Sequence, residues 1–301
     1  MDTQTDTRTD TQYDVVVIGG GPAGLQATLT LGRVHRRVLM LDSGTYRNDP
    51  AAHMHNVVTH DGAVPAEFRA AARKDLAAYD TVAVREEAAT SVAATDGGFH
   101  VTIGDEVIAS RTVLLATGLT DTLPDKPGLA PLFGSVVAHC PFCHGHEFAG
   151  RPVGILGAAP AAHLPGMVGP IASRVTVFTD GEELTAELPA GVLVRTERVT
   201  GVCPSPVGAT VSFESGPSEE VAGLFVTTRL AQRAPFAEQL GLAVLESGCV
   251  EVDPFGRTSV PGVHAAGDMA HLAALPMPMA SVMGAAASGQ AAAGALVAFV
   301  L

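Results

Sequence analysis

The segment from residue 13 to residue 42 constrains the fold more than any other part of the chain. A β-branched run, Tyr13–Ile18, leads directly into the string GGGPAG at 19–24. The run 25–32 predicts a short helix, and 37–41 predicts a second strand that ends at Asp42. The order of strand, glycines, helix, strand and acid is typical of a βαβ unit in an α/β fold.

This unit predicts a binding site for an adenine dinucleotide. The first glycine makes the tight turn, the third lets the backbone approach the pyrophosphate, and the last allows the helix to pack closely. The helix N-terminus faces the phosphates, and the acid accepts hydrogen bonds from the ribose hydroxyls. The candidate contacts are Gly19, Gly21, Pro22, Ala23, Gly24 and Asp42. The pattern alone leaves open which dinucleotide is bound.

Net charge narrows the functions that the chain can have. With 18 Lys and Arg residues against 31 Asp and Glu residues, the formal net charge is −13. Nucleic acids are bound by clustered Lys and Arg, so the composition argues against such a partner.

The length of 301 residues indicates about two domains. Residues 1–12 predict a disordered tail without the apolar stretch of a secretory signal, so we expect a cytoplasmic protein.

The apolar run from Met279 to Leu301 raises the question of a membrane span, because such a span needs about 20 apolar residues. The run is mostly Ala and Gly, and it carries Ser281, Ser288 and Gln290. It also ends without flanking charges. We therefore predict a buried core helix and no membrane partner.

The string VAHCPFCHGHEF at 137–148 concentrates Cys and His residues. Its Cys140-x-x-Cys143 spacing is typical of a redox dithiol, and the addition of His144 matches the attachment string of a c-type haem. His139 and His146 add zinc as a third interpretation. Haem attachment would require export, and zinc would require a second ligand cluster, which the sequence does not show. Both interpretations are weakened, and no metal is predicted.

Two later segments carry a family resemblance. VLLATG at 113–118 and TSVPGVHAAGD at 258–268 are similar to the two further FAD motifs of the flavin-dependent disulfide reductases, and the low-molecular-weight thioredoxin reductase branch fits best in length. The resemblance implies FAD as the cofactor and a homodimer as the assembly. The loop TYRNDPAAHMHN at 45–56 resembles one that packs near the cofactor. The resemblance implies that Asp268 lies on the ribityl and phosphate side of the flavin. The full set of implied cofactor-binding candidates is Arg47, Asn48, Ala116, Thr117, Gly118, Gly267 and Asp268.

The resemblance also implies the fold class and the domain plan. We expect an α/β protein with two doubly wound, Rossmann-like domains. The FAD-binding domain would comprise residues 13–120 and 240–301. A degenerate NAD(P)-type domain that carries the Cys pair would be inserted at 121–239.

The glycine loop of the inserted domain, VGILGAAPAAH at 153–163, is damaged. Ala159 stands where the backbone has to approach a pyrophosphate, and Pro165 predicts a kinked or broken helix behind the loop. Asp180 replaces the cationic cluster that clamps a 2′-phosphate in the reductases, and a carboxylate would repel that group. We predict loss of pyridine nucleotide binding, with a variant site that still takes NADH as the alternative.

By the same resemblance, Cys143 faces the flavin and Cys140 exchanges with the substrate. His144 replaces the Asp that serves as general acid in the reductases, and an imidazole can take a proton as readily as it gives one. His146 is a second acid/base candidate. Position in the inserted domain thus favours the dithiol over haem and zinc.

The Cys-x-x-Cys-His-Gly string beside a lapsed nucleotide site resembles the FAD-dependent dithiol oxidases that close the disulfides of gliotoxin, holomycin or romidepsin. This resemblance implies oxidation of a small-molecule dithiol in secondary metabolite biosynthesis, with O2 as the terminal acceptor and H2O2 as its product. A reductase of thioredoxin or another disulfide, linked to NAD(P)H or ferredoxin, is the alternative. A non-catalytic flavoprotein whose Cys pair senses redox state or binds zinc is a third hypothesis.

Overall fold

The computed structural model describes residues 12–299. The predicted tail lies outside this range except for its last residue. The chain divides into two compact units. The first comprises the chain up to Arg47, then Ala66–Thr120 and the part from Leu230 onward, and the second comprises Asn48–Pro65 and Asp121–Arg229.

The helices and strands follow one another in three stretches. The first holds β1 (Tyr13–Ile18), α1 (Pro22–Arg33), β2 (Val38–Leu41), α2 (Pro65–Leu76), β3 (Val82–Arg85), β4 (Ser91–Thr95), β5 (Gly98–Ile103) and β6 (Glu106–Leu115). The second holds β7 (Leu119–Thr122), β8 (Val137–Ala138), α3 (Pro141–His144), β9 (Pro152–Leu156), α4 (Leu164–Val168), β10 (Arg174–Phe178), β11 (Leu193–Arg195), β12 (Val199–Pro204), β13 (Ala209–Phe213), β14 (Glu219–Val221) and β15 (Gly223–Val226). The third holds β16 (Arg229–Gln232), α5 (Phe236–Gln239), β17 (Val250–Glu251), β18 (Val263–Ala265), β19 (Ala270–His271) and α6 (Val282–Phe299).

A seven-stranded sheet forms the centre of the first unit. Its order is β3-β2-β1-β6-β5-β4, and β18 also pairs with β6. The second half of β6 is parallel to β1 and β18, whereas its first half is antiparallel to β5. The strand β1 has four fully or nearly buried residues in a row, as expected for a parallel strand that is covered on both faces.

The second unit is built on a five-stranded parallel sheet of order β11-β10-β9-β15-β8. The strands β12, β13 and β14 form a separate antiparallel sheet. In both sheets the strand that precedes the glycine loop has the next strand of the chain on one side and a later strand on the other: β1 lies between β2 and β6, and β9 lies between β10 and β15. This is the strand order of doubly wound folds, so the predicted fold class is confirmed.

The predicted domain segments and the two units differ in two places. Residues 48–65 belong to the second unit, where the backbone of Pro50 lies against Gly134. Residues 230–239 belong to the first unit, where the side chain of Gln239 accepts a hydrogen bond from the backbone N–H of Val92 at 2.9 Å.

The C-terminal helix α6 packs one face against α1. Among the described residues, it is the one helix with the length and composition to cross a membrane, and only 28% of its 18-residue window is buried. The helices approach closely because Gly289 lacks a side chain, and a Cβ there would lie 2.1 Å from the carbonyl oxygen of Ala23. The prediction of a core helix is therefore correct for the side that packs against α1 and the sheet, whereas much of the rest of α6 is exposed.

Candidate functional site

Three sequence motifs lie side by side at the carboxyl ends of adjacent parallel strands in the first unit. Ile18 of β1 is in register with Leu115 of β6, and Leu115 is in register with Ala265 of β18. The residues that follow these strands belong to the glycine string, to the segment 116–118 and to the segment 266–268. Ligands of doubly wound sheets bind at this edge, where the strand order reverses.

The glycine string has the geometry of a dinucleotide cradle. A Cβ on Gly19 would lie 2.2 Å from the carbonyl oxygen of Ala116, and a Cβ on Gly24 would lie 1.8 Å from the carbonyl oxygen of Gly19. Gly21, by contrast, has no heavy atom within 4 Å of its ideal Cβ position. It is the N-cap of α1, which has no side-chain cap and no acidic residue in its first turn. Pro22 and Ala23 open this helix, so its first turn can receive a phosphate, and these residues fit FAD.

Asp42 lies at the end of β2 with 1% of its surface exposed. Its carboxylate accepts hydrogen bonds from the backbone N–H of Gly44 at 3.0 Å and from the hydroxyl of Tyr46 at 2.6 Å. It also forms an ion pair with Arg73 of α2. Burial, and then the bond to Asp42, raise the pKa of Tyr46 to about 12, so this tyrosine is a neutral donor.

Two of the remaining cofactor candidates of the first unit, Arg47 and Asp268, contact each other. Arg47 Nη1 forms an ion pair with Asp268 Oδ2 at 2.9 Å, with the two side chains 16% and 19% exposed. The hydroxyl of Thr117 donates to the sulfur of Met269 at 3.3 Å. Gly118 and Gly267 both have positive φ, at 71° and 79°, which favours glycine. Asn48, also predicted to contact the cofactor, falls in the second unit.

The Cys pair lies at the carboxyl edge of the second parallel sheet. Cys140 lies two residues after the end of β8 and is the N-cap of α3, and Cys143 lies in that helix. The two form a disulfide with a Cα to Cα distance of 5.3 Å. The backbone N–H groups of Cys143 and His144 both donate to the carbonyl of Cys140 at 3.2 Å, so the short helix fixes the spacing of the pair. Among the described residues, no group of three His, Cys, Asp or Glu side chains could hold a metal ion.

His144 has one imidazole nitrogen engaged and one unpartnered. Its Nε2 lies 3.2 Å from the carbonyl oxygen of Gly134. Because a carbonyl can only accept, this contact assigns the proton to Nε2. Nδ1 is buried and has no hydrogen-bond partner among the described residues. Nδ1 is therefore the acceptor nitrogen of the ring, on the residue that directly follows Cys143 in the chain.

The other side chains around the dithiol differ in exposure. His146 is exposed, and Phe142, between the two cysteines, is 67% exposed. His139 stacks on Phe133 with 5.7 Å between ring centroids. Glu147, four residues after Cys143, lies 3.5 Å from Nε2 of His55. The loop 48–65 thus contacts the dithiol segment, a contact that the sequence did not indicate.

The glycine loop of the second unit is occupied by the chain's own side chains. The backbone N–H of Ala158 donates to Oε2 of Glu182 at 2.9 Å. Asp180 pairs with Lys126 at 2.7 Å and accepts the backbone N–H of Val199 at 2.8 Å. The helix behind the loop is reduced to a 3-10 turn, Pro160–Ala162, and the five residues of α4. The expected break of this helix is confirmed.

Sequence reasoning missed the side chains that complete these sites. Arg73 is 31 positions from Asp42, and no local pattern connects them. The position of Glu182 could have been recognised in the sequence as a further obstacle to phosphate binding, because Gly-Glu-Glu directly follows Asp180 after the end of β10. An acid there is as unfavourable to a phosphate as Asp180 itself.

Comparison with known proteins identifies the family. The family model "pyridine nucleotide-disulphide oxidoreductase" matches residues 13–292. The thioredoxin reductase aclD of Aspergillus oryzae is 37% identical over 278 residues, which cover 85% of this chain and 88% of that protein. The thioredoxin reductase sirT of Leptosphaeria maculans is 35% identical over 303 residues, with 92% and 91% covered. The crystal structure of HlmI superposes with a TM-score of 0.85 at 32% identity, with 96% of this chain and 92% of that chain covered. The chain therefore belongs to the pyridine nucleotide-disulphide oxidoreductases and is a thioredoxin reductase-like, FAD-binding thiol-disulfide oxidoreductase.

Proposed function

We propose that the protein is an FAD-dependent dithiol oxidase that forms a disulfide in a small-molecule dithiol of secondary metabolite biosynthesis. We also infer that it acts in the cytoplasm as a homodimer. The observation that carries the proposal is the occupation of the second glycine loop by Glu182. A thiol-disulfide enzyme that cannot seat a pyridine nucleotide needs another electron source, and a dithiol substrate is one.

The contacts of the second loop argue against a phosphate in three ways. The N–H of Ala158 is already used by Glu182. The carboxylates of Glu182 and Asp180 would oppose a pyrophosphate, and the ammonium group of Lys126 is paired with Asp180. A five-residue α4 also offers little helix dipole. Each of these features is built from the chain's own residues.

The thiol chemistry balances as two exchanges. A substrate thiolate attacks the sulfur of Cys140, the Cys140–Cys143 bond breaks, and a mixed disulfide forms while Cys143 leaves as a thiolate. The second substrate thiol then attacks the substrate sulfur bound to Cys140, closes the substrate disulfide and releases Cys140. The protein pair has gained two electrons. Bound FAD would supply the acceptor for these two electrons on the side of Cys143, and O2, as the terminal acceptor, would take them up with two protons as H2O2.

His144 supplies the proton transfer that the first exchange requires. Thiolates attack disulfides and thiols do so poorly, so the incoming thiol has to lose a proton. With its proton on Nε2, directed at Gly134, His144 has Nδ1 available as the acceptor. We assign it the role of general base. The exposed His146 would exchange protons with solvent.

The alternative is a reductase of thioredoxin or another disulfide, linked to NAD(P)H or ferredoxin. The names of the relatives favour it, because aclD and sirT are both called thioredoxin reductases. The two functions differ in the direction of electron flow, and this can be measured directly.

The test uses the purified FAD-loaded protein without oxygen. A small dithiol should bleach the flavin absorbance, and admission of air should restore it with one H2O2 per disulfide. NADPH and NADH should leave the flavin oxidised. Rapid bleaching by either nucleotide would establish the NAD(P)H-linked reductase, and a flavin that responds neither to a nucleotide nor to the dithiol would refute the oxidase and that reductase.

Matched variants test the assigned residues in the same assay. Cys140→Ser should abolish bleaching by the dithiol, whereas Cys203→Ser, at an exposed free cysteine of the same unit, should have no effect. His144→Gln should slow bleaching by about 100-fold and leave FAD binding unchanged. An unaltered rate in His144→Gln would remove its role as base.

A further inference from the structure

We propose that Arg73 is a positioning residue for the adenosine half of FAD, because it pairs with the buried carboxylate of Asp42 and orients it toward the ribose. Tyr46 and Arg69 complete this adenosine clamp, which we define as Asp42, Tyr46, Arg69 and Arg73. The clamp gives the protein its preference for FAD over flavins that lack adenosine. All four residues belong to the first unit.

A buried carboxylate needs a partner that compensates its charge. Asp42 is 1% exposed, and removal of a charge from water is strongly unfavourable unless a partner is present. Among the described residues, the cation paired with it is Arg73. The acceptor that a ribose hydroxyl needs therefore depends on a side chain from α2.

The orientation of the carboxylate is fixed by hydrogen bonds to both of its oxygens. Gly44 binds Oδ1 at 3.0 Å, and Tyr46 binds Oδ2 at 2.6 Å. Arg73 also donates to the hydroxyl of Tyr46 at 2.6 Å. A carboxylate offers about four acceptor positions. Three are used by Gly44, Tyr46 and Arg73, which leaves one for a ribose hydroxyl.

The second arginine of the clamp acts on the tyrosine ring. Arg69 precedes Arg73 by one helical turn, and its guanidinium carbon lies 3.7 Å from the centroid of the Tyr46 ring. Such a cation–π contact holds an aromatic ring in place. Two arginines on one face of α2 thus position both Tyr46 and Asp42.

The clamp borders a cavity next to the glycine string. The cavity measures about 400 Å³ and is lined by Asp42, Ser43, Gly44, Tyr46, Arg69 and Arg73, among others. It adjoins the FAD cradle, because a Cβ on Gly20 would lie 1.9 Å from Oδ2 of Asp42. This size lies within the range of small-molecule sites. The cavity is placed to take the nucleoside that follows the pyrophosphate.

The experiment compares the affinities of the apoprotein for FAD and for FMN, which lacks adenosine, by flavin fluorescence. Arg73→Met should weaken FAD binding by about 10- to 100-fold and leave FMN binding within about twofold. Arg73→Lys, which keeps the charge but not the planar fork, should recover part of the FAD affinity. The matched control is Arg85→Met, since Arg85 forms ion pairs only with the exposed Glu87 and Glu106 among the described residues.

Equal losses for FAD and FMN in Arg73→Met would overturn the proposal, because a merely structural role would affect both flavins. An unchanged FAD affinity would overturn it too. If that variant does not fold, Tyr46→Phe removes a single hydroxyl from the clamp. It should lower the ratio of FAD to FMN affinity by about fivefold, and an unaltered ratio refutes the clamp.

Discussion

At the scale of single residues, the environment of each histidine decides its chemistry, and its position in the sequence does not show that environment. His144 has one ring nitrogen on a carbonyl and one bare. His264, in β18, has both ring nitrogens buried without partners among the described residues, and it is 3% exposed. Burial, and then the charge of Arg257, lower its pKa to about 4. His264 is therefore a neutral core side chain.

The low pKa of His264 predicts a stability that depends on pH. In the unfolded chain this histidine is protonated below its ordinary pKa of 6.5, whereas in the folded protein it resists protonation until about 4. The unfolded state thus binds the extra proton between these values, and stability falls as the pH falls from 6.5 to 4. The difference amounts to roughly 3 kcal/mol.

Urea unfolding of wild type and His264→Phe between pH 7 and pH 4 measures the contribution of His264 to the pH dependence of stability. The variant should lose roughly 3 kcal/mol less than the wild type over the range. His100→Phe, at an exposed position of β5, is the control and should follow the wild type. Parallel pH profiles for His264→Phe and wild type would mean that His264 takes up its proton in the folded state.

At the scale of elements, the contact between α1 and α6 depends on the absence of one side chain. A Cβ on Gly289 would lie 2.1 Å from the carbonyl oxygen of Ala23, in the first turn of α1. Gly294, on the same helix, has no atom within 4 Å of its ideal Cβ position. The two glycines separate the effect of helix propensity from that of packing.

Alanine substitutions should therefore have opposite effects at these two positions. Gly294→Ala should stabilise the protein by up to about 1 kcal/mol, because alanine favours a helix. Gly289→Ala should destabilise it by about 1–3 kcal/mol, because α6 has to move away from α1. Chemical denaturation checks both. Stabilisation by Gly289→Ala would show that the helices can separate at no cost.

Secondary structure elements that are marked by local sequence signals could be predicted, whereas the packing of α6 could not. The βαβ unit was predicted within a few residues, because strand, glycines and acid are local signals, although α1 starts three residues earlier than expected, at Pro22. The broken helix at 160–168 was also predicted, since proline acts locally. The partial exposure of α6 could not be predicted, because an Ala- and Gly-rich helix has no distinct apolar face to mark the side that packs.

The residues of the candidate site also fall into two groups, those that the sequence could identify and those that it could not. Residues in contiguous motifs, such as Gly19 and the Cys pair, could be identified from the sequence. Arg73, which completes the environment of Asp42, and Glu147, which contacts His55, could not. These contacts join residues 31 and 92 positions apart, and their pairing depends on how helices and loops pack.

At the scale of the whole molecule, each unit has its own apolar cores. The cluster that includes Val16 and Val113 and the cluster around Leu31 and Leu296 lie in the first unit. The two clusters built on β9, β10 and β15 lie in the second. Units with separate cores can open separately. A ligand that binds one of them then stabilises that unit alone.

FAD should accordingly protect the first unit selectively. At about 100 times its dissociation constant, a ligand stabilises the state that binds it by about 2.7 kcal/mol, which slows hydrogen exchange through opening about 100-fold. The predicted FAD contacts other than Asn48 lie in the first unit. The slowing of hydrogen exchange should therefore appear at amides of β1 and β6 and be absent at those of β9 and β10. Hydrogen exchange with mass spectrometry on the apoprotein and the FAD-loaded protein measures both sets. Equal protection of the two sets would mean that the units open as one, and protection confined to β9 and β10 would contradict the assignment of the FAD site to the first unit.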